Sequence, residues 1–189
     1  MKIRKKPEPF LYPCPVVLVT CVDDRGKPNI ITLAWVGIGA AEPPVISLAI
    51  RPRRYSYKLI EKTREFVVNI PTVDILRQTD FCGMVSGREV EKFSKSGLTQ
   101  ERSSKVGPPM ITECPVNIEC KLKKIIPFRS HGLFIGEIVE IHVDQSILNE
   151  KGAIDYSKTR PLILMRGGTQ EEYWTLGSKI EDYGFSIKG

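Results

Sequence analysis

Two runs of strict alternation in the second half of the chain restrict its fold more than any other feature. Val116, Ile118, Cys120 and Leu122 are apolar, and Asn117, Glu119, Lys121 and Lys123 between them are polar. After a break at Pro127–Gly132 the same period returns from Leu133 to Val143. Side chains of a strand point alternately to its two faces, so a period of two marks half-buried strands. Two such runs joined by a short break predict a long antiparallel pair.

Shorter strands precede this pair. Pro15–Val22 is one, followed by a hairpin turn, Asp23–Pro28, in which Gly26 is free to take a positive φ. The stretch Asn29–Ser56 then reads as strand, sharp corner, strand, arginine-rich turn and helix start. In its first strand Thr32, Ala34 and Val36 share one face, and Leu33 and Trp35 the other. The corner is Ala41-Glu-Pro-Pro44. Val45–Ile50 is apolar almost throughout, which predicts burial on both faces. Glu65–Ile70 is a further strand stopped by Pro71, and Pro161–Met165 a last short one.

Helical spacing is limited to Tyr57–Arg64, with Ser56 as its cap, and Val73 to about Phe81, with Thr72 as its cap. Residues 82–112, rich in Gly and Pro, form an irregular excursion. The tail from Arg166 is Gly-rich and carries Tyr173, Trp174 and Leu176. About seven strands with short turns and two helices predict a mainly β barrel or sandwich. No repeat or composition shift divides the 189 residues, so residues 1–189 form one domain, long enough to bury its own core.

Composition excludes some classes. No run approaches the roughly 18 apolar residues of a membrane span. The basic N-terminus has no apolar segment of the secretory kind, and a cytoplasmic location is the expectation. The five cysteines are irregularly spaced without a CxxC, which argues against disulfides or zinc and for small buried hydrophobes. Cys82, beside glycines, is the one that exposure would make reactive. The net charge of +6, from 28 basic and 22 acidic residues, fits a nucleic acid or an acidic cofactor equally.

One cluster points to a ligand. Arg51, Arg53 and Arg54 stand directly before a helix start, where free backbone N–H groups already favour anions. The plainer reading is a solvated basic turn with an ordinary cap. A barrel binding nucleic acid would instead interleave exposed aromatics with Lys and Arg along its strands.

Several longer segments carry a resemblance to a known family: YPCPVVLVTCVDDRGKPNIITLAWVG at residues 12–37, SLAIRPRRYSYKLI at 47–60, EFVVNIP at 65–71, DFCGMVSGREVEKF at 80–93 and HGLFIGEIVEI at 131–141. In this order they resemble the flavin reductase-like proteins with an FMN-binding split barrel, and the flavoredoxin group most closely. The resemblance implies a Greek-key split β-barrel with a few short helices, non-covalent FMN, a homodimer with flavin near the interface, and electron exchange with NAD(P)H or a redox protein. It implies no nucleic acid and no membrane.

Residue by residue, the resemblance places Ser56 and Lys92 at the FMN phosphate, beside Arg51 and Arg53. Asn29 and the backbone from Thr32 through Ala34 and Trp35 to Val36 fall at the edge of the isoalloxazine ring, with donors and acceptors to match. His131 falls near the flavin, where a cation or donor would favour the anionic reduced form. Leu164 packs on the cofactor. The plainer reading of Lys92 alone is a solvated lysine in a charged loop. No GxGxxG or Walker-type motif is present, so NAD(P)H would have to share the flavin cleft, with no side chain acting as acid or base. Phe81, Met84, Phe93, Met110, Tyr173 and Trp174 are expected at the subunit interface.

Overall fold

The computed structural model describes residues 1–166 and 170–187. In chain order the first half holds β1 (Cys14–Pro15), β2 (Val17–Val22), β3 (Pro28–Leu33), β4 (Val36–Ala41), β5 (Pro44–Ile50), α1 (Tyr55–Thr63), β6 (Glu65–Ile70), α2 (Leu76–Met84) and α3 (Lys92–Ser96). Then come β7 (Gln100–Glu101), β8 (Met110–Ile111), β9 (Val116–Pro127), β10 (Gly132–Val143), α4 (Tyr156–Thr159), β11 (Leu162–Arg166) and β12 (Glu171–Thr175). The main sheet has seven strands in the order β3-β2-β6-β9-β10-β5-β4. As the alternation requires, β9 and β10 pair antiparallel, from Gly132 opposite Pro127 to Val143 opposite Val116.

Closure follows from one short connection. β3 and β4 are the two edges of this sheet, yet only Ala34 and Trp35 separate them in sequence. A flat seven-stranded sheet would hold its edges about 29 Å apart. A link this short reaches only about 10 Å. The sheet must therefore curl until its edges meet, and the Trp35 carbonyl, which accepts from the Ala49 N–H at 3.0 Å, extends the β4–β5 pairing into the link. The result is a barrel split at one place, with Ala34 and Trp35 in the split.

This corrects the expectation of one strand running from Asn29 through Val36. Periodicity continues through Ala34 and Trp35, but the hydrogen-bond partner changes from β2 to β5. β5 is not buried on both faces either. Ile46, Leu48 and Ile50 are buried, whereas Val45, Ser47 and Ala49 are half-exposed.

β2, like most of β6, is buried on both faces. Val17, Val19 and Cys21 point into the barrel with Leu48, Phe66 and Phe134. Leu18, on the opposite face, packs with Ile75, Cys82, Phe93 and Ile111. The excursion after α2 thus has a core of its own on the outside of the barrel. Phe93 and Met110 are each 3% exposed, so these two expected interface residues belong to the protomer's interior. Met84 and Trp174 remain exposed, and Phe81 and Tyr173 are half-buried.

The second helical segment begins as a short 3-10 turn, Val73–Ile75, and continues as α2 to Met84. The Thr72 hydroxyl caps it by accepting from the Asp74 N–H at 3.3 Å. Cys82 lies in the last turn of α2, not in a loop. It is fully buried, and burial pushes its thiol up to about 11, so it is inert rather than reactive. All five cysteines are buried and unpaired. β12, in the Gly-rich tail, pairs antiparallel with β11 beside the split.

Candidate functional site

The split opens into a cleft of about 270 Å³ lined by Thr32, Leu33, Ala34, Trp35, Ala49, Arg51, Arg54, Gly83, His131, Leu164 and Tyr173 among others. Trp35 sits in the two-residue link between β3 and β4 and is half-buried. The His131 ring lies beside it, centroids 4.7 Å apart and inclined by 33°. The Arg166 guanidinium stands 5.5 Å from the Trp35 ring centroid and pairs with Glu171 at 3.1 Å. Ala34, Ala49 and Gly83 keep the remaining walls low. The geometry suits a flat aromatic ligand.

Arg51 and His131 meet at the mouth of this cleft. Arg51 Nε donates to His131 Nε2 at 3.4 Å, which leaves the imidazole proton on Nδ1, facing the Ser130 hydroxyl at 2.9 Å. Burial, with the nearby Arg51 charge, holds the His131 pKa below its ordinary value. The imidazole is therefore neutral near pH 7, and the cation of the pair is Arg51. On the far wall Tyr173 donates to Asp80 Oδ1 at 3.1 Å. Burial and Asp80 push the phenol up to about 12.

A second, smaller pocket of about 180 Å³ adjoins the first, with Arg54 in the wall of both. It is lined by Asn29, Arg53, Arg54, Tyr55, Ser56, Ser86, Gly87 and Lys92 among others. Arg54, not Ser56, is the N-cap of α1, and its side chain makes no capping bond. Ser56 lies inside the first turn, 1% exposed, and its hydroxyl accepts from the Asn29 carboxamide at 2.8 Å. A helix starting at Tyr55 presents unpaired backbone N–H groups at this point. Arg54 Nη1 donates to the Gly83 carbonyl at 3.2 Å, and Arg88 Nη1 to the Arg53 carbonyl at 3.1 Å.

Lys92 is not a solvated loop residue. It opens α3, is 4% exposed, and donates to the carbonyls of Ile30 and Cys82 at 2.7 Å each. Burial lowers its pKa to about 8. Gly87 brings the backbone of the loop between α2 and α3 directly against Asn29. A Cβ there would stand 2.7 Å from Asn29 Cγ and 3.2 Å from Tyr55 Cδ1.

The residues singled out from the sequence thus divide between two joined chambers. Thr32, Ala34, Trp35, Arg51, His131 and Leu164 line the split, and Asn29, Arg53, Ser56 and Lys92 line the smaller pocket. Val36 lines neither, because it belongs to β4 and packs against the barrel core. Sequence reasoning missed Gly83, Gly87, Asp80, Arg166 and Tyr173 as site residues, and read Arg54 only as one of the arginine cluster, not as the wall shared by both chambers. Arg54 and Gly87 stood within segments already noted, whereas Asp80, Arg166 and Tyr173 come together only through the pairing of β11 with β12.

A split barrel with an aromatic slot beside a cationic pocket defines a class of β protein that takes a flat ring bearing an anionic tail. The chain belongs to the flavin reductase-like family: the family model described as "Flavin reductase like domain" matches residues 10–172. It is similar to the flavoredoxin of Desulfovibrio vulgaris (Miyazaki F), with TM-score 0.92, 34% identity and 100% of each chain covered. It is also similar to flavoredoxin from Methanosarcina acetivorans, with TM-score 0.89, 32% identity, and 100% of this chain and 98% of that one covered. An uncharacterized protein of Archaeoglobus fulgidus is 35% identical over 147 residues, 78% of this chain and 82% of its own.

Proposed function

We propose that this protein holds one FMN per chain, non-covalently, and acts as an oxidoreductase that moves electrons through it. The observation that carries this reading is the joining of the two chambers through Arg54. The small pocket has the features a phosphate monoester needs: a buried ammonium, a hydroxyl, helix-start N–H groups and a glycine wall. Both volumes together suit a small-molecule site of a few hundred Å³. The similarity to flavoredoxins over the whole chain supports the same reading.

In this assignment Ser56, Lys92 and the first turn of α1 would hold the phosphate. Trp35, Leu164 and the small residues of the split would hold the isoalloxazine ring. When bound, FMN supplies a ring that accepts a hydride or an electron and later gives it up. The chain's own contribution is orientation and exclusion of water, and Arg51 places a fixed positive charge at the mouth. NAD(P)H or a redox protein is the proposed electron source, entering over the outer face of the split.

A homodimer is part of this proposal. β4 is an edge strand without a charged residue, and Ile38 on it is 74% exposed. Leu11, Trp174 and Leu176 are 77%, 56% and 50% exposed beside the small sheet. Such surfaces call for cover. Among the described residues no helix is long and apolar enough to cross a membrane. The nucleic-acid alternative lacks support, since the exposed lysines of β9 have no aromatic residue between them and β10 beside it carries glutamates and no lysine.

The visible spectrum of the purified protein tests the cofactor. Flavin absorption at one FMN per chain, or quenching of added FMN fluorescence at micromolar protein, is expected. Protein that neither carries nor quenches flavin would refute the proposal.

A further inference from the structure

An ammonium group has three N–H donors, and the chain satisfies two of those on Lys92. Ile30 and Cys82 supply the two carbonyls, and the side chain also lines the anion pocket. Among the described residues no carboxylate pairs with it. Cys21 on β2 and Cys82 on α2 are close enough to influence it, but burial pushes both thiols up to about 11, so neither is an anion near neutral pH. Arg53 and Arg54, before α1, add positive charge to the same pocket. On its own element Glu91 is exposed and occupied by the Ser94 N–H, and Lys95 points to solvent. A buried charge without a counter-charge is unfavourable, and its simplest relief is loss of the proton.

We propose that Lys92 links phosphate binding to proton uptake, so that the pocket holds FMN within a pH window closed on the alkaline side by Lys92 and on the acid side by the phosphate. This rests on the FMN reading of the site. A neutral amine keeps two N–H groups, enough for both carbonyls, so deprotonation leaves the walls tied together. What it removes is the N–H and the charge available to the ligand. An entering phosphate dianion supplies the missing counter-charge and draws the proton back.

The free site titrates at about 8. Above that pH each unit lowers FMN affinity about tenfold, because binding then takes up one proton. Below about pH 6 the phosphate becomes a monoanion, and affinity falls again. Riboflavin has the same ring and no phosphate, so the ring's own ionisation cancels when the two affinities are divided.

The test is the affinity of the full chain for FMN and for riboflavin, by fluorescence quenching, from pH 5.5 to 9.5. The ratio should be highest near pH 7 and fall about tenfold per unit above pH 8. Mixing in weakly buffered indicator dye at pH 8.5 should show proton uptake with FMN and none with riboflavin. Lys92→Met should retain riboflavin binding and lose the alkaline fall; if that variant does not fold, proton uptake by the unaltered protein decides alone. A ratio constant from pH 7 to 9.5, or equal proton uptake with both ligands, overturns the linkage and leaves FMN binding intact. Failure of both flavins to bind overturns the FMN reading itself.

Discussion

Replacing Gly87 with alanine tests the two-chamber site with one methyl group. The added Cβ would lie 2.7 Å from Asn29 Cγ and 3.2 Å from Tyr55 Cδ1, inside the roughly 3.5 Å of ordinary contact. Gly87 does not have a positive φ, so the backbone itself accepts alanine and the whole effect is steric. Asn29 has little room to yield, being 5% exposed and bonded to the Ser56 hydroxyl at 2.8 Å. Either Asn29 releases Ser56 or the loop between α2 and α3 moves outward. Both open the anion pocket and leave a buried polar group without its partner, which costs about 1–3 kcal/mol. FMN affinity should therefore fall roughly 5- to 150-fold. Riboflavin, lacking the phosphate, should bind within about threefold of its former affinity. Titration of both flavins by fluorescence reads the difference. An unchanged FMN affinity, or an equal loss for riboflavin, would refute the assignment of this pocket to the phosphate.

Trp35→Leu should weaken FMN and riboflavin alike by about threefold to tenfold, the worth of aromatic contact beyond buried area, with both affinities read by the same titration. Glu119→Gln should destabilise the fold by about 2–4 kcal/mol in chemical denaturation, since the fully buried carboxylate accepts from the N–H groups of Ser104, Lys105 and Val106 and contacts His142 at 2.6 Å. Burial alone would raise the Glu119 pKa, but these bonds outweigh it and bring it below the usual value. Its stabilisation is thus complete above the ordinary glutamate range and lost as pH falls through the lowered folded value, and the variant should lack that part of the acid dependence. Trp174→Asp should shift sedimentation toward monomer if the exposed small sheet lies in the dimer interface, and leave it unchanged otherwise.

The strands were legible in the sequence because β9 and β10 alternate apolar with polar residues and β2 and β6 are short apolar runs bounded by turn residues, patterns that need no tertiary knowledge. The break between β3 and β4 was not, because Leu33, Ala34, Trp35 and Val36 continue the alternation while the pairing partner changes. Ser56 was expected as the helix cap, but it lies one residue inside the helix, held by Asn29 from a distant strand. Lys92 stands among charged residues in sequence, and only the packing of α3 against β3 and α2 removes it from water. Phe93 and Met110 looked unsheltered because their segment has little regular structure, yet the barrel's outer face supplies the second core. The lowered pKa of His131 comes from its burial and from Arg51, eighty positions away, and neither shows in the sequence around it.

The most direct test of the account is a crystal structure of the protein with FMN. The phosphate is expected against Ser56, Lys92 and the first turn of α1, with the ring in the split beside Trp35 and Arg54 between the two. A phosphate bound elsewhere, or a ring outside the split, would contradict it.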